Sequence, residues 1–212
     1  MIKAALFDMD GTLFDTERID HDAWVAVGLP EELYWHCIGR SRSAILDILH
    51  NGLHQDPLPF YDCYHRKTEE FLQKGIPKKP GADYILSFLQ KKGCAMALVT
   101  SSRQERAERN LARAGVQQYF QAVISGDQIV HSKPAPDIFL KAAQCLNCVP
   151  KDCMVVEDSF NGVRSGRAAG MFTVMVPDLL QPSDEIRGMA DAVLPSLREI
   201  APLFEKRNAP RA

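Results

Sequence analysis

The sequence predicts an α/β protein, a parallel β-sheet covered by helices on both faces, with a smaller all-helical unit inserted near the amino terminus. Two observations carry this. Short apolar or β-branched runs alternate with amphipathic helical patterns along most of the 212 residues, the order expected of parallel strands joined by helical crossovers. The alternation fails once, between the first run and the second, where the pattern is helical almost throughout.

Strands are predicted at residues 4–7, 95–99, 122–124, 154–156, 173–176 and 192–194. Helices of the sheet unit are predicted at 82–92, 104–114, 137–146, 161–169 and 197–206. Ser102 stands where an N-cap for the second of these would sit, and Gly93, Gly115 and Gly170 follow helices where a left-handed residue is needed. Inside the interrupting stretch, 17–27, 43–51 and 60–74 read as amphipathic helices, and Pro77, Pro80 and Gly81 mark the return to the sheet. The expected organisation is a core of residues 1–14 and 80–212 and a helical unit of residues 15–79, joined by two crossings. An insertion at that point sits over the carboxyl ends of the strands, where open α/β sheets bind ligands. The tail, residues 207–212, is expected to be frayed.

Composition narrows the function. Lys and Arg total 25 against 27 Asp and Glu, a formal net charge of −2, which removes the usual electrostatic case for nucleic acid or an anionic membrane as partner. No apolar run approaches the roughly 20 residues needed to span a bilayer. The amino terminus enters the first strand without the apolar segment and cleavage site of a secretion signal. The six cysteines (Cys37, Cys63, Cys94, Cys145, Cys148 and Cys153) are few for a disulfide scaffold, and Cys94 and Cys153 adjoin apolar runs as small buried hydrophobes. A cytoplasmic protein with reduced thiols is expected. Cys145 and Cys148 have redox-motif spacing but no second pair or neighbouring His, so no metal or redox role falls to them.

Residues able to do chemistry gather at the strand ends. The first strand runs into Phe7-Asp8-Met9-Asp10-Gly11-Thr12, with two carboxylates that point the same way if the extended geometry persists. The following strands deliver Thr100-Ser101-Ser102, Lys133-Pro134 and Glu157-Asp158 to the same end. Acids, hydroxyls and one lysine together suit magnesium-assisted phosphoryl transfer to a carboxylate. Mg²⁺ takes oxygen ligands, which Asp8, the Asp10 carbonyl and Asp158 would supply. The six His are scattered without ligand spacing, which argues against zinc. The metal and Lys133 would offset the repulsion between an attacking carboxylate and a phosphate. Asp8 is then the nucleophile, and Asp10 the general acid that later serves as base.

Asp8-Met9-Asp10-Gly11-Thr12, Thr100, Lys133-Pro134 and Glu157-Asp158 resemble, in order, the four motifs of the haloacid dehalogenase superfamily, over nearly the whole chain. Ser132-Lys133-Pro134-Ala135-Pro136-Asp137-Ile138-Phe139 and Glu157-Asp158-Ser159-Phe160-Asn161-Gly162-Val163, with a helical insert after the first motif, are similar to its β-phosphoglucomutase-like branch. The resemblance implies a Rossmann-like, doubly wound core with a helical cap, dependence on Mg²⁺ and an aspartyl-phosphate intermediate. It implies that Thr100 and Lys133 bind phosphate and that Asp158 binds the metal, with Glu157 joining the metal's shell or hydrogen-bonding its waters. Main-chain amides near Met9 and Ser101, with Ser102 beside them, would be phosphate donors. Dehalogenating members lack the second aspartate of the first motif, so Asp10 points to phosphoryl chemistry.

In the cap, Gly39-Arg40-Ser41-Arg42 ahead of a helix offers guanidinium forks and free amides to an anion. By the resemblance, Arg42 matches the arginine that grips a sugar's non-reacting phosphate in mutases of this branch, and Lys67 matches a basic cap residue. Trp24 also falls on a matching position, although a Trp on an amphipathic helix is more often core. Two positions depart from the mutases. Asp20 replaces a cap histidine, with His21 roughly 100° further round a helix, and Ile38 replaces a basic residue. The expected function is a Mg²⁺-dependent phosphatase of a small phosphorylated metabolite such as a sugar phosphate, with β-phosphoglucomutase as the alternative. A monomer is expected, because cap closure already shields the site. A phosphoacceptor signalling domain would need neither a cap nor Asp10, a non-catalytic relative would have lost one of the motif positions, and a kinase or ATPase would carry a Gly-rich phosphate loop.

Overall fold

The computed structural model describes residues 1–210; the end of the expected frayed tail, Arg211 and Ala212, lies outside the described residues. Strands β1 (Ala4–Phe7), β2 (Ala95–Val99), β3 (Ala122–Ile124), β4 (Cys153–Glu157), β5 (Phe172–Met175) and β6 (Ala192–Val193) form one parallel sheet in the order β3-β2-β1-β4-β5-β6. Strand β1 is central, with Ala4 opposite both Ala95 and Cys153. Its side chains are buried on both faces, which is why parallel strands read as continuous apolar runs.

Helices α1 (Thr16–Ala26), α2 (Glu31–Trp35), α3 (Arg42–Leu53) and α4 (Leu58–Leu72) lie between β1 and β2, followed by α5 (Ala82–Lys91). The others are α6 (Gln104–Ala114), α7 (Asp137–Cys145), α8 (Phe160–Ala168), α9 (Asp184–Met189) and α10 (Ile200–Asn208). One face of the sheet, through Phe7, Leu98, Val156 and Val174, packs on Leu86 of α5, Leu111 of α6 and Phe204 of α10. The other, through Leu6, Val99 and Val155, packs on Phe139 and Ala142 of α7. Crossovers therefore change face between β3 and β4, so the chain winds outward in both directions from the β1/β4 pair, and a crevice opens at their carboxyl ends.

The helices α1–α4 bury a separate cluster that includes Trp24, Tyr34, Leu49 and Tyr64. Two crossings tie them to the sheet, side by side: Asp15 N donates to Pro77 O (2.9 Å) and Lys79 N to Leu13 O (2.8 Å). Among the described residues no helix is long and apolar enough to cross a membrane.

Several local expectations change. Strand β4 extends one residue at each end of the predicted run, and β5 starts one residue early because Phe172 pairs with Met154. The short helices α2 and α9 are too brief to show a period in sequence. The predicted 197–206 helix is a 3₁₀ turn, Leu197–Glu199, followed by α10. Arg207 is helical rather than frayed, because the Asn208 amide clamps the backbone of Ile2, accepting from its N–H (2.6 Å) and donating to its carbonyl (3.0 Å). Ser102 is not the N-cap of α6: Arg103 holds that place, and Asp127 Oδ1 accepts from Gln104 N at 3.3 Å. Gly93, Gly115 and Gly170 have the expected left-handed conformation, with φ of 68°, 67° and 70°.

Candidate active site

The crevice is built from the ends of β1, β2 and β4 and the loop carrying Lys133. Beyond β1 the chain stays in register for one residue, Asp8 N donating to Val156 O at 3.0 Å. It then turns back, Leu13 N and Phe14 N both donating to Met9 O at 3.0 Å. Gly11 makes the turn possible: its φ is 81°, and a Cβ there would overlap the Asp158 carboxylate. The Met9 side chain is buried in the core, so only its main chain is available to the site.

Lys133 is the hub. Its ammonium donates to Asp8 Oδ1 (2.5 Å), Glu157 Oε1 (2.6 Å) and Val99 O (3.3 Å). The other Glu157 oxygen accepts from Asp158 N (3.1 Å), Ser159 N (3.0 Å) and Ser159 Oγ (2.9 Å). Gly162 leaves room for that carboxylate, which a Cβ would overlap. Thr12 Oγ1 donates to Asp158 Oδ1 at 2.7 Å. Asp10 accepts from Thr16 Oγ1 (2.6 Å), Ser102 Oγ (3.0 Å) and Arg106 Nη2 (3.4 Å).

Three buried carboxylates surround one buried ammonium, and the charges do not balance. Burial pushes Asp8 up to about 8; Lys133 opposes the shift and Glu157 adds to it. Burial, then Glu157 and Asp8, holds Asp158 well above the usual carboxylate range. Burial disfavours the charge on Lys133, but Asp8 and Glu157 outweigh it and keep the ammonium above its ordinary range. The excess of negative charge suits a further cation. Asp8, Glu157 and Asp158 each offer an oxygen within 4.8 Å of the others, an all-oxygen donor set that suits a hard divalent ion. Asp8 Oδ2 and Asp158 Oδ2 have no hydrogen bond to the described residues, whereas both oxygens of Glu157 are engaged.

Above the cluster lies a cavity of about 340 Å³ between the sheet ends and helices α1–α4. Asp8, Asp10, Thr100, Ser101, Ser102, Lys133 and Asp158 line it together. Thr100 Oγ1 accepts from Ser102 N at 3.0 Å. From the other side come Arg42, at the start of α3 and 5.3 Å from the centre of the Tyr61 ring, and Trp24. Trp24 is mainly a core residue, 1% exposed, with its indole N–H given to Pro30 O at 2.9 Å. Lys67 does not line the cavity: it pairs with Glu70 at 2.9 Å and lies over the Phe71 ring.

Sequence reasoning missed Arg106, a half-buried cation on the cavity wall. Its Nη2 donates to Asp20 Oδ2 at 2.9 Å as well as to Asp10, so one guanidinium joins α1 to the strand-end acid. A signal existed. Arg106 sits in the first turn of α6, where the helix dipole disfavours a cation, so its retention there implies an acidic partner elsewhere. Glu17 was missed too. Burial, then the charges of Asp20 and Asp10, pushes its carboxyl up to about 8, and Tyr34 OH donates to its Oε2 at 2.9 Å.

The profile of the haloacid dehalogenase-like hydrolases matches residues 2–170. The chain belongs to that family. Among relatives of these hydrolases, the phosphorylated carbohydrates phosphatase of Thermotoga maritima is 34% identical over 178 residues, covering 80% of this chain and 82% of that protein. Hexitol phosphatase A of Escherichia coli is 34% identical over 206 residues, covering 93% of each. Among solved structures, CbbY of Rhodobacter sphaeroides in complex with phosphate superposes with a TM-score of 0.78 at 28% identity, over 94% of this chain and 96% of that one.

His65, on the cavity wall, gives this hydrolase a pH signature. Burial, then the Arg106 charge, pushes its imidazole down to about 4, and Nε2 has no partner among the described residues. Between that value and the ordinary value of about 6.5 the unfolded chain binds more protons than the folded one. Stability contributed by neutral His65 is therefore expected to fall as pH drops from about 6.5 to 4. Thermal melts of wild type and His65→Gln across that window check it: the wild type should lose more Tm, and parallel curves would contradict the assignment.

Proposed function

We propose that the protein is a Mg²⁺-dependent phosphatase of small phosphorylated metabolites of the sugar-phosphate class. The supporting observation is the Lys133 ammonium held between Asp8 and Glu157, beside free oxygens of Asp8 and Asp158, under a cavity roofed by helices α1–α4. The names of the two phosphatase relatives favour the same class. In this reading residues 15–79 form the cap over a core of residues 1–14 and 80–212, and the thiols, none of them paired with another, suit a cytoplasmic setting. In the same reading the protein acts as a monomer.

Asp8, Asp158 and the main chain of Asp10 would hold the metal, with Glu157 fixing Asp158 and Lys133 from behind. Bound there, Mg²⁺ supplies Lewis-acid stabilisation of charge on the transferring phosphoryl group. Lys133, Thr100 and the amides near Met9 and Ser101 bind the phosphoryl oxygens. An Asp8 oxygen attacks phosphorus as the ester P–O bond breaks, and Asp10 gives its proton to the departing oxygen. Asp10 then takes a proton from water. That water oxygen attacks the aspartyl phosphate, which breaks at its P–O bond to release phosphate and restore Asp8. Ser102, Thr16 and Arg106 orient Asp10 for both transfers.

Hydrolysis is favoured over a mutase cycle by Asp20. Where mutases of the branch carry a histidine, a carboxylate paired with Arg106 stands beside Asp10 and opposes a second phosphate there.

Asp8→Asn is expected to lower kcat at least ~1000-fold with the fold retained by circular dichroism; near wild-type turnover would remove Asp8 as nucleophile. Stripping divalent ions with EDTA should abolish phosphate release and Mg²⁺ should restore it, whereas activity indifferent to EDTA would exclude the metal role. Incubation with β-glucose 1-phosphate, a trace of the bisphosphate and Mg²⁺ should yield free phosphate and not glucose 6-phosphate; accumulation of the 6-phosphate would establish the mutase instead.

A further inference from the structure

The phosphoryl chemistry leaves one acid in the cavity without a task. Glu17, in the first turn of α1, lines the same space as Asp8 and Asp10. The Tyr34 hydroxyl lies 2.6 Å from the Glu17 main-chain carbonyl and 2.9 Å from Oε2, and its single proton is shared between them, which holds the carboxyl beside the phenol. Oε1 makes no hydrogen bond to the described residues and is not among the buried unpartnered atoms, so it is open to the cavity. An acid in this place has no part in the phosphoryl chemistry. Its free oxygen is retained at a gain only if the non-phosphoryl part of the substrate brings a hydrogen-bond donor.

Hydroxyl and ammonium groups are both donors, and the rest of the wall separates them. Arg40, Arg42 and Arg103 line the same cavity, together with acids that include Asp20, Asp62, Glu69 and Glu105. The guanidiniums need acceptors, which an ammonium cannot offer and a hydroxyl can. A hydroxyl can give its proton to Glu17 and accept from an arginine at once, so a polyhydroxylated chain satisfies both signs of the wall.

We propose that Glu17, oriented by Tyr34, is a specificity-determining residue that accepts a hydrogen bond from a hydroxyl on the leaving group, so that the enzyme selects sugar or alditol monophosphates over phosphate esters lacking that hydroxyl. This rests on the phosphatase reading above and names the part of the substrate that the cap reads.

The test is a kcat/KM panel on the Mg²⁺-loaded protein. It comprises a hexitol 1-phosphate, its 2-deoxy and 3-deoxy counterparts, phosphoethanolamine and p-nitrophenyl phosphate, assayed with wild type, Glu17→Gln and Glu17→Ala. Wild type should prefer the hexitol phosphate over at least one deoxy counterpart by ~10-fold, the upper range of a hydrogen bond between uncharged groups. Glu17→Ala should bring that ratio to within about threefold, and Glu17→Gln, which keeps an acceptor oxygen, should retain part of it. The ratio is insensitive to a general loss of active protein. Equal rates on hydroxylated and deoxy esters by the wild type, a ratio unmoved in Glu17→Ala, or a preference for phosphoethanolamine would each overturn the proposal while leaving the phosphatase reading intact. Failure of the wild type to cleave any of these esters, p-nitrophenyl phosphate included, would overturn both. Should neither variant fold, equal wild-type rates on the hydroxylated and deoxy esters still overturn the proposal.

Discussion

The structure depends on one buried ammonium. Lys133 has almost no access to water, and an unpaired ammonium there would be expelled or neutralised. It is retained because Asp8 and Glu157 approach it from adjacent strands and Val99 offers a carbonyl. Those contacts set the spacing of the strand ends: Glu157 must reach back toward Lys133, which requires Gly162 to lack a Cβ, and Asp8 must stay in line with β4.

The same electrostatics would let the proposed site hold phosphate and a metal together. With three carboxylates to one lysine, the cluster suits a hard divalent cation, and cation and lysine together would offset the repulsion that an acid nucleophile feels toward phosphate. Burial that would be a liability in a structural ion pair is what gives the electrostatics strength in a reaction.

A second ionic seam joins the helical insert to the core. Arg106, Arg109 and Arg113 recur on one side of α6 and meet Asp20 of α1 and Glu69 of α4. Charged groups can be returned to water at little net cost, unlike an apolar contact of the same extent, so this seam can hold the insert over the cavity without welding it there. Asp10 sits at its inner end, sharing Arg106 with Asp20, so the strand-end acid is in direct electrical contact with the insert.

Local chemistry decided much of this protein. Strands buried on both faces must be apolar runs, so 4–7, 95–99 and 122–124 were legible to the residue, and Asp8, Asp10, Lys133 and Asp158 stood out because acids and a lysine at successive strand ends have few other uses. What stayed hidden depended on partners far away in the chain. Ser102 looks like an N-cap until Asp10, 92 residues earlier, claims its hydroxyl. Arg207 looks like a frayed tail until Asn208 is seen clamped to Ile2, and Lys67 looks like a cavity residue until it is seen bound to Glu70. Arg106 and Glu17 carry no motif at all. Composition and periodicity determine which residues are buried and which strand ends bear chemistry, because those follow from the neighbours along the chain. Only the packing of α1 and α4 against α6 decides which of the remaining charges face the cavity, because burial and pairing of a charge are properties of the groups that surround it in space.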